Sequence, residues 1–270
     1  MEGWVTAHAW AAYLGIGVVV GFAAGLLGIG GGMVIVPLLF YVLAAQGFPP
    51  LHTLHVALAT ALATIVFTSL SSVRAHHAFG SVDWRVARTM APGILAGSFF
   101  AALLAGLIPT RPLAVLFTLL VFAAGTMMLF DLRPKGIRPL PRGAALFGAA
   151  ALIGGVSSLL SAGGAFLSIP FLAWCGLPVR SAIGTAAAIG FPIAVAGTAA
   201  HLLQGLRIDG LPRGSVGYVY LPALALIVVT SMAAAPLGAR LAHRLPVKRL
   251  RAVFAIALYA IAVRMLADLW

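Results

Sequence analysis

A cluster of glycines interrupts an apolar stretch near the start of this 270-residue sequence. The cluster includes Gly28, Gly30, Gly31 and Gly32. It is unfavourable for a continuous helix, because each glycine costs about 1 kcal/mol relative to alanine in a helix interior. The helix that restarts after such a break has free N–H groups and a partial positive dipole at its N-terminus. These features bind anions without a buried lysine or arginine, so the cluster predicts an anion site.

A second cluster adds hydroxyl groups to the same arrangement. It contains Ser158, Ser161, Gly163 and Gly164. In hydrocarbon a broken backbone survives only inside protein or beside a water-filled cavity, so both clusters must be sheltered. We expect them to face each other near the middle of a membrane and to bind one anion. The alternative is that the glycines only allow helices to pack closely.

Polar side chains on two later apolar segments are candidates for a substrate path. Thr60 and Thr64 are four residues apart and therefore share one helix face. They either line the path or bond to carbonyls of their own or neighbouring helices. His201 is a candidate proton relay or a hydrogen-bonded structural histidine. Arg74 lies near the end of its segment, where it attracts an anion or extends towards lipid headgroups.

The two clusters belong to an internal repeat with an offset of 133 residues. Gly21 pairs with Gly154 and Pro37 with Pro170 in this alignment. A block punctuated by glycine and proline that occurs twice in one chain is a strong signal of a repeated structural unit. The elements that position both clusters must therefore be related.

Composition places these elements in a bilayer. Hydrophobic residues make up 62% of the chain and charged residues 8%, whereas a soluble domain has about 25% charged residues. We predict an all-α polytopic membrane protein with a first repeat at 1–130, a basic linker at 131–142 and a second repeat at 143–270. The predicted helical segments are 10–28, 33–46, 54–78, 86–107, 111–130, 143–160, 165–175, 181–204, 214–242 and 248–269.

Basic residues predict which loops share a side of the membrane. If 10–46 and 143–175 each begin and end on the same side, thirteen of the 17 lysines and arginines fall on one side and four on the other. If not, the division is ten to seven, which fits the positive-inside tendency less well. Both termini are then outside, the linker 131–142 is cytoplasmic, and the two repeats are inverted. The short segments 33–46 and 165–175 favour hairpins with glycine-rich tips over full crossings.

Several classes of protein are excluded by the sequence. It contains five acidic residues and no H-E-x-x-H, G-x-S-x-G or Walker pattern, so we expect neither an enzyme nor a cofactor. The net charge of +12 reflects loop residues that set topology, and nucleic-acid binding is not expected. The expected partners are the lipid bilayer and a small anion, with the oligomeric state left open and a homodimer among the alternatives.

The block Gly21–Pro37, its repeat Gly154–Pro170 and the run His-Ala-Phe-Gly-Ser-Val-Asp-Trp-Arg at 77–85 resemble the TauE/SafE family of membrane permeases. The resemblance covers nearly the whole chain. That family is associated with export of sulfite and organosulfonates. The resemblance implies a small sulfur oxyanion or sulfonate as the substrate. Together with the helix breaks, it leads us to expect a secondary transporter of the bacterial inner membrane, driven by the proton gradient or the membrane potential.

The second block departs from the glycine pattern of the first. Ser158, Ser161 and Ala165 stand where the first block has glycines, so the two sites are expected to be unequal. Two alternatives to a secondary transporter remain. One is an uncoupled anion channel that uses the same glycine site, and the other is a membrane subunit that supports a partner without transporting.

Overall fold

Ten helices and a short β-hairpin form the described part of the chain. The structure is a computed structural model and describes residues 2–27, 32–130, 138–242 and 247–267. The all-α polytopic membrane fold predicted from the sequence is confirmed. The elements are α1 (Glu2–Leu27), α2 (Gly32–Ala45), α3 (Thr53–Ala78), α4 (Trp84–Leu107), α5 (Thr110–Leu129), α6 (Ala144–Leu159), α7 (Ala165–Trp174), α8 (Val179–Gly205), β1 (Ser215–Val216), β2 (Val219–Tyr220), α9 (Leu221–Ala242) and α10 (Val247–Ala267).

Four of the described helices are long and apolar enough to cross a bilayer. They are α3, α4, most of α5 and α8, and several shorter apolar helices accompany them. A crossing needs about 20 residues. With 14 residues α2 rises about 21 Å, and with 10 residues α7 rises about 15 Å, so neither reaches across the hydrocarbon core of about 30 Å.

Helices α1 and α2 form a hairpin whose open end lies beside the β-hairpin. The side-chain amide of Gln46 donates to the Tyr13 hydroxyl at 2.6 Å, and the ring of Tyr13 lies 6.2 Å from that of Tyr220. Helices α6 and α7 form a second hairpin. At its open end Leu146 and Leu172 pack with residues from the first turns of α4 and α8. Because α3 runs from the β-hairpin to the start of α4, the two helical hairpins enter from opposite ends of the bundle.

Each half of the chain packs its first helix along the fourth helix of the other half. Helix α1 lies along α9, and α6 lies along α4. Glycines make the close contacts: Gly21 packs on the backbone of Ser231, and Gly154 packs on α4 beside Ser98. Gly21 and Gly154 are 133 residues apart, and so are Ser98 and Ser231. The exchange of partners is therefore the same in both halves, while their relation as inverted repeats stays a prediction.

The connections gather at two ends of the bundle. At one end the Thr110 hydroxyl donates to the carbonyl of Leu51. At the other end the N–H of Arg138 donates to the carbonyl of Trp174 at 3.0 Å, and the guanidinium lies 5.3 Å from the centre of that indole ring. The grouping matches the division of loops that the basic residues predict. We call the first the β-hairpin end and the second the linker end.

One predicted helix is wrong at its start. The segment 214–242 begins with the β-hairpin, and α9 starts only at Leu221. The chain turns at Gly214 and Gly217, whose φ angles are 90° and 53°. Glycine reaches positive φ without the clash that a Cβ causes, so these positions end the helical path. Helix α1 also differs, because it begins at Glu2 rather than at residue 10.

Candidate functional site

The tips of the two helical hairpins meet inside the bundle. Gly32, the first residue of α2, packs directly on the backbone carbonyl of Ser161, where a Cβ would overlap that oxygen. Ser161 is buried, and its hydroxyl donates to the carbonyl of Leu58 on α3 at 3.0 Å. The turn at Ser161 is therefore held between the start of α2 and α3.

The turn after α6 is closed by backbone hydrogen bonds that require a left-handed residue. The N–H of Ser161 donates to the carbonyl of Ser158 at 2.9 Å, and that of Ala162 donates to Ser157 at 2.8 Å. Ser161 has a φ of +47°, a region in which glycine usually ends a helix. An L-residue pays about 1–2 kcal/mol for this conformation, and the bond to Leu58 offsets part of that cost.

Helix α7 restarts the chain directly beyond this turn. Gly164 is its N-cap, with a φ of 76°, and its carbonyl accepts the N–H of Ser168 at 2.9 Å. The first N–H groups of a helix have no partner within that helix, and the dipole gives this end a partial positive charge. The N-terminus of α7 therefore lies inside the bundle, beside the point where the two tips meet.

Three buried serine hydroxyls lie on α6 and α7, the two helices that flank this turn. Those of Ser157, Ser158 and Ser168 have no hydrogen-bond partner among the described residues. The hydroxyls of Ser157 and Ser168 lie 3.6 and 3.5 Å from the place that a Cβ on Gly164 would take. Buried polar atoms without partners are rare in native proteins, so a cluster of three calls for a ligand or water. We call Ser157, Ser158 and Ser168 the serine cluster.

Glycines of α8 let that helix approach the serine cluster. A Cβ on Gly197 would lie 2.7 Å from the hydroxyl of Ser158, and one on Gly190 would lie 2.8 Å from the carbonyl of Gly163. Both distances are shorter than real Cβ contacts, so larger residues at these positions would push α8 away. Helix α8 therefore borders the site at Gly163 and Ser158.

The structure brings together the described part of the predicted anion site. Gly32, Ser158, Ser161, Gly163 and Gly164 lie around the meeting point of the tips. The other three predicted positions, Gly28, Gly30 and Gly31, lie outside the described residues. Arg74 is exposed at the far part of α3 and does not reach the meeting point.

The two threonines of the predicted path have partners within the protein. The hydroxyl of Thr60 accepts the N–H of Tyr220 from the β-hairpin at 3.0 Å. The hydroxyl of Thr64 donates to the carbonyl of Thr60 at 2.9 Å, within the same helix. For Thr64 the geometry therefore matches the alternative of bonding to its own helix. His201 is buried near Tyr218, at the β-hairpin end.

The comparisons with known proteins agree with this architecture. The family described as Sulfite exporter TauE/SafE matches residues 13–265. The chain belongs to this family. Membership makes it a multi-pass membrane transporter, in agreement with the apolar helices.

Relatives of this TauE/SafE protein carry transporter names. A "Probable membrane transporter protein" of Haemophilus influenzae is 35% identical over 255 residues, which span 93% of this chain and 95% of the relative. A "Probable membrane transporter protein YdhB" of Bacillus subtilis is 28% identical over 240 residues, 86% of this chain and 88% of the relative. A third relative, from Xylella fastidiosa, is 32% identical over 183 residues, 64% of this chain and 66% of its own length. No solved structure matches the chain significantly.

Two serines near the site of this TauE/SafE protein are not identified by the glycine motif. Ser157 and Ser168 belong to the serine cluster, yet each lies just outside the glycine motif that drew attention to Ser158 and Ser161. The signal that identifies them is the repeat itself. At the offset of 133, Ser157 replaces Ala24 and Ser168 replaces Ile35, so the second block alone gains hydroxyls.

The run at 77–85, which contributed to the family resemblance, anchors a loop rather than forming part of this site. The Asp83 carboxylate caps α4 by accepting the N–H groups of Arg85 and Val86, at 3.0 and 3.1 Å. The N–H of Asp83 donates to the hydroxyl of Thr185 on α8 at 2.9 Å. The indole N–H of Trp84 donates to Nδ1 of His77 at 3.1 Å. The run therefore attaches the α3–α4 loop to α8 at the linker end.

Proposed function

We propose that this protein is a secondary transporter that moves a small sulfur-containing oxyanion, of the sulfite or organosulfonate class, across the bacterial inner membrane. One observation carries the proposal. Two hairpin tips that enter from opposite ends of the bundle meet beside three buried serine hydroxyls that have no partner in the described part of the chain. The family description, which names sulfite export, supports the class of substrate.

The donors at the site suit an oxyanion. Sulfite and sulfonate groups each present three oxygen atoms, which accept hydrogen bonds from hydroxyl groups and from the N-terminal N–H groups of α7. Hydrogen bonds to a charged group contribute about 1.5–3 kcal/mol each. The proposed ligands are the serine cluster, Ser161, Gly163 and Gly164 on one side and the break at Gly28–Gly32 on the other. A site built from neutral donors binds the anion without the fixed positive charge that would hinder its release.

The pairing of helices supports alternating access. Helix α1 with α9 and helix α4 with α6 form two closely packed pairs. In the proposed cycle the pairs move relative to each other, and the contact between Gly32 and Ser161 separates to open the site to one side at a time. Rocking of one repeat against the other is the motion expected of transporters built from inverted repeats.

The proposal is tested by transport in proteoliposomes that contain only this chain. Uptake of radiolabelled sulfite and of methanesulfonate is measured for the native protein and for Ser157→Ala with Ser168→Ala. Because loss of each hydrogen bond to the anion raises KM about tenfold or more, the double variant is expected to raise KM by at least that factor. Ser231→Ala is the matched control, because its buried hydroxyl donates to the carbonyl of Val228 in its own helix at 3.1 Å.

Three results would contradict the proposal in different ways. An unchanged KM in the double variant would exclude the serine cluster as the site. Flux without counterflow of labelled substrate would indicate an uncoupled channel. The absence of any flux from the purified chain would favour a subunit that does not transport.

A further inference from the structure

Three histidines and a tyrosine meet at the β-hairpin end of the bundle. The ring of Tyr218 lies 5.3 Å from that of His55, 5.9 Å from His52 and 6.3 Å from His201, measured between ring centres. Relative exposure is 3% for His55, 1% for His201 and 3% for Tyr218. We call these four residues the histidine cluster. No part of the proposed anion site uses His52, His55 or Tyr218.

One ring nitrogen of each histidine in the cluster has no partner among the described residues. Nε2 of His55 lies 3.1 Å from the carbonyl of Ile108. A carbonyl only accepts, so Nε2 carries the hydrogen and Nδ1 of the neutral ring is a free lone pair. Within the described ranges, Nδ1 of His52, His55 and His201 has no hydrogen-bond partner. The cluster therefore has buried lone pairs that can bind a proton.

The charges around the cluster are all exposed. Helix α3 contributes His55 and has His52 as its N-cap, and helix α8 contributes His201. The β-hairpin contributes Tyr218, whose pKa is raised by burial so that it stays neutral. One turn beyond His201, the neutral amide of Gln204 donates to the carbonyl of Leu103 at 2.6 Å. The charged residues of the neighbouring segments are all exposed to solvent: Arg111, Arg207, Asp209 and Arg213. Among the described residues, no buried carboxylate balances a proton on this cluster.

The cluster and the proposed anion site share two helices and are one turn apart on each. On α3, Leu58 follows His55 by three residues, and the carbonyl of Leu58 accepts the Ser161 hydroxyl. On α8, Gly197 precedes His201 by four residues and packs against the hydroxyl of Ser158. One helical turn is about 5.4 Å. An anion at the serine cluster is therefore close enough to supply the negative charge that the histidines lack.

We propose that the histidine cluster binds one proton, at Nδ1 of His55 or shared with His201, and that this proton is transported together with the anion. The inference rests on the proposed function, because it assigns the coupling ion of the same transport cycle. Two protons on neighbouring imidazoles repel, so the cluster takes one. The anion neutralises it, which makes the two sites bind cooperatively and fixes a ratio of one proton to one anion.

The transport test uses methanesulfonate, which stays ionised over the pH range used, so that protonation of the substrate does not contribute. In proteoliposomes clamped at zero membrane potential, an inwardly directed gradient of one pH unit is imposed. One-to-one symport predicts about tenfold accumulation. His55→Gln and His201→Gln are expected to retain counterflow of labelled substrate while accumulation falls to one. His77→Gln, a change at the exposed linker end, is the control and should accumulate as the native protein does.

A second measurement does not depend on the variants folding. Protons taken up by the purified native protein are counted with an indicator dye when methanesulfonate is added at about pH 5 to 8. About one proton per anion bound is expected at some pH in this range. Anion binding without proton uptake throughout the range, or tenfold accumulation in His55→Gln, would overturn the inference. Absence of counterflow in the native protein would instead refute the proposed function.

Discussion

Ser161 shows how a single residue adjusts one of the two breaks. It adopts a conformation in which glycine is favoured, and the first block has Gly28 at the matching position. The serine retains the left-handed turn because its hydroxyl bonds to α3, which a glycine cannot do. Ser161 therefore has a less favourable backbone conformation than glycine would have there. Its hydroxyl in turn attaches the second hairpin to α3, the helix that also carries His55.

Substitution of Ser161 separates these two contributions. Ser161→Ala keeps the strained backbone and loses the bond to Leu58, so the free energy of unfolding should fall by about 1 kcal/mol. Ser161→Gly also loses the bond but gains about as much by relieving the strain, so it should unfold near the native temperature. Thermal unfolding in detergent measures both. Equal melting temperatures for the two variants would contradict the role of backbone strain.

At the residue scale the sequence predicted part of the site and missed the rest for a physical reason. The repeated glycine blocks predicted that Gly32 and Ser161 belong to one site, because broken backbones in a membrane must shelter each other. Ser157 and Ser168 were missed because serine is common on membrane helices, and only tertiary packing shows that their hydroxyls lack partners. The spacing could not show that Thr60 and Thr64 have different roles. The partner of the Thr60 hydroxyl is the N–H of Tyr220, in a β-hairpin 160 residues further along the chain.

Two connections attach to the opposite half of the chain in the same way. The residue directly before α4, Asp83, donates its N–H to Thr185 of α8. The residue directly before α9, Tyr220, donates its N–H to Thr60 of α3. Each fourth helix is therefore positioned at its start by the third helix of the other repeat, one at the linker end and one at the β-hairpin end. Both threonine side chains are fully buried.

Removal of either hydroxyl is expected to leave a backbone N–H without a partner. Thr60→Val and Thr185→Val keep the side-chain shape, so each should destabilise the protein by about 1–3 kcal/mol. Amide hydrogen exchange should accelerate at Tyr220 in the first variant and at Asp83 in the second. Thr230→Val is the control, because that hydroxyl donates to the carbonyl of Leu226 in its own helix at 2.8 Å. Unchanged exchange at both amides would show that these bonds do not hold the connections.

At the element scale most helices were predictable from apolar runs ended by glycine and proline. Helix α8, predicted at 181–204, occupies Val179–Gly205. The β-hairpin was not predictable, because Tyr218, Val219 and Tyr220 are as apolar as the helix that follows. Its stability comes from tertiary contacts with His55, Phe48 and Thr60, which no local pattern encodes.

At the scale of the whole molecule, the division of loops between two ends predicts an orientation in the membrane. Arg213 lies at the β-hairpin end and Arg138 at the linker end, and both are exposed. The excess of basic residues on the linker side predicts that this end is cytoplasmic. The prediction therefore assigns each end of the bundle to one side of the membrane.

Labelling of single cysteines in whole cells tests this orientation. Arg213→Cys should react with a membrane-impermeant maleimide added outside, whereas Arg138→Cys should react only after the membrane is opened. Both are made in Cys175→Ala, since Cys175 is the only native thiol. Burial raises the pKa of the Cys175 thiol and slows its reaction, so little background is expected even from the native residue. The reverse pattern of labelling would invert the assignment.

The exchange of helix partners between the halves has a consequence for biogenesis. Gly21 is synthesised 210 residues before Ser231, the residue on which it packs. At ribosomal rates this delay is roughly 10 to 40 s, during which α1 sits in the membrane with its partner groove unfilled. Helix α6, by contrast, meets α4 soon after it emerges, because Gly93 and Phe147 are only 54 residues apart. We therefore expect the contact between α4 and α6 to form before the contact between α1 and α9.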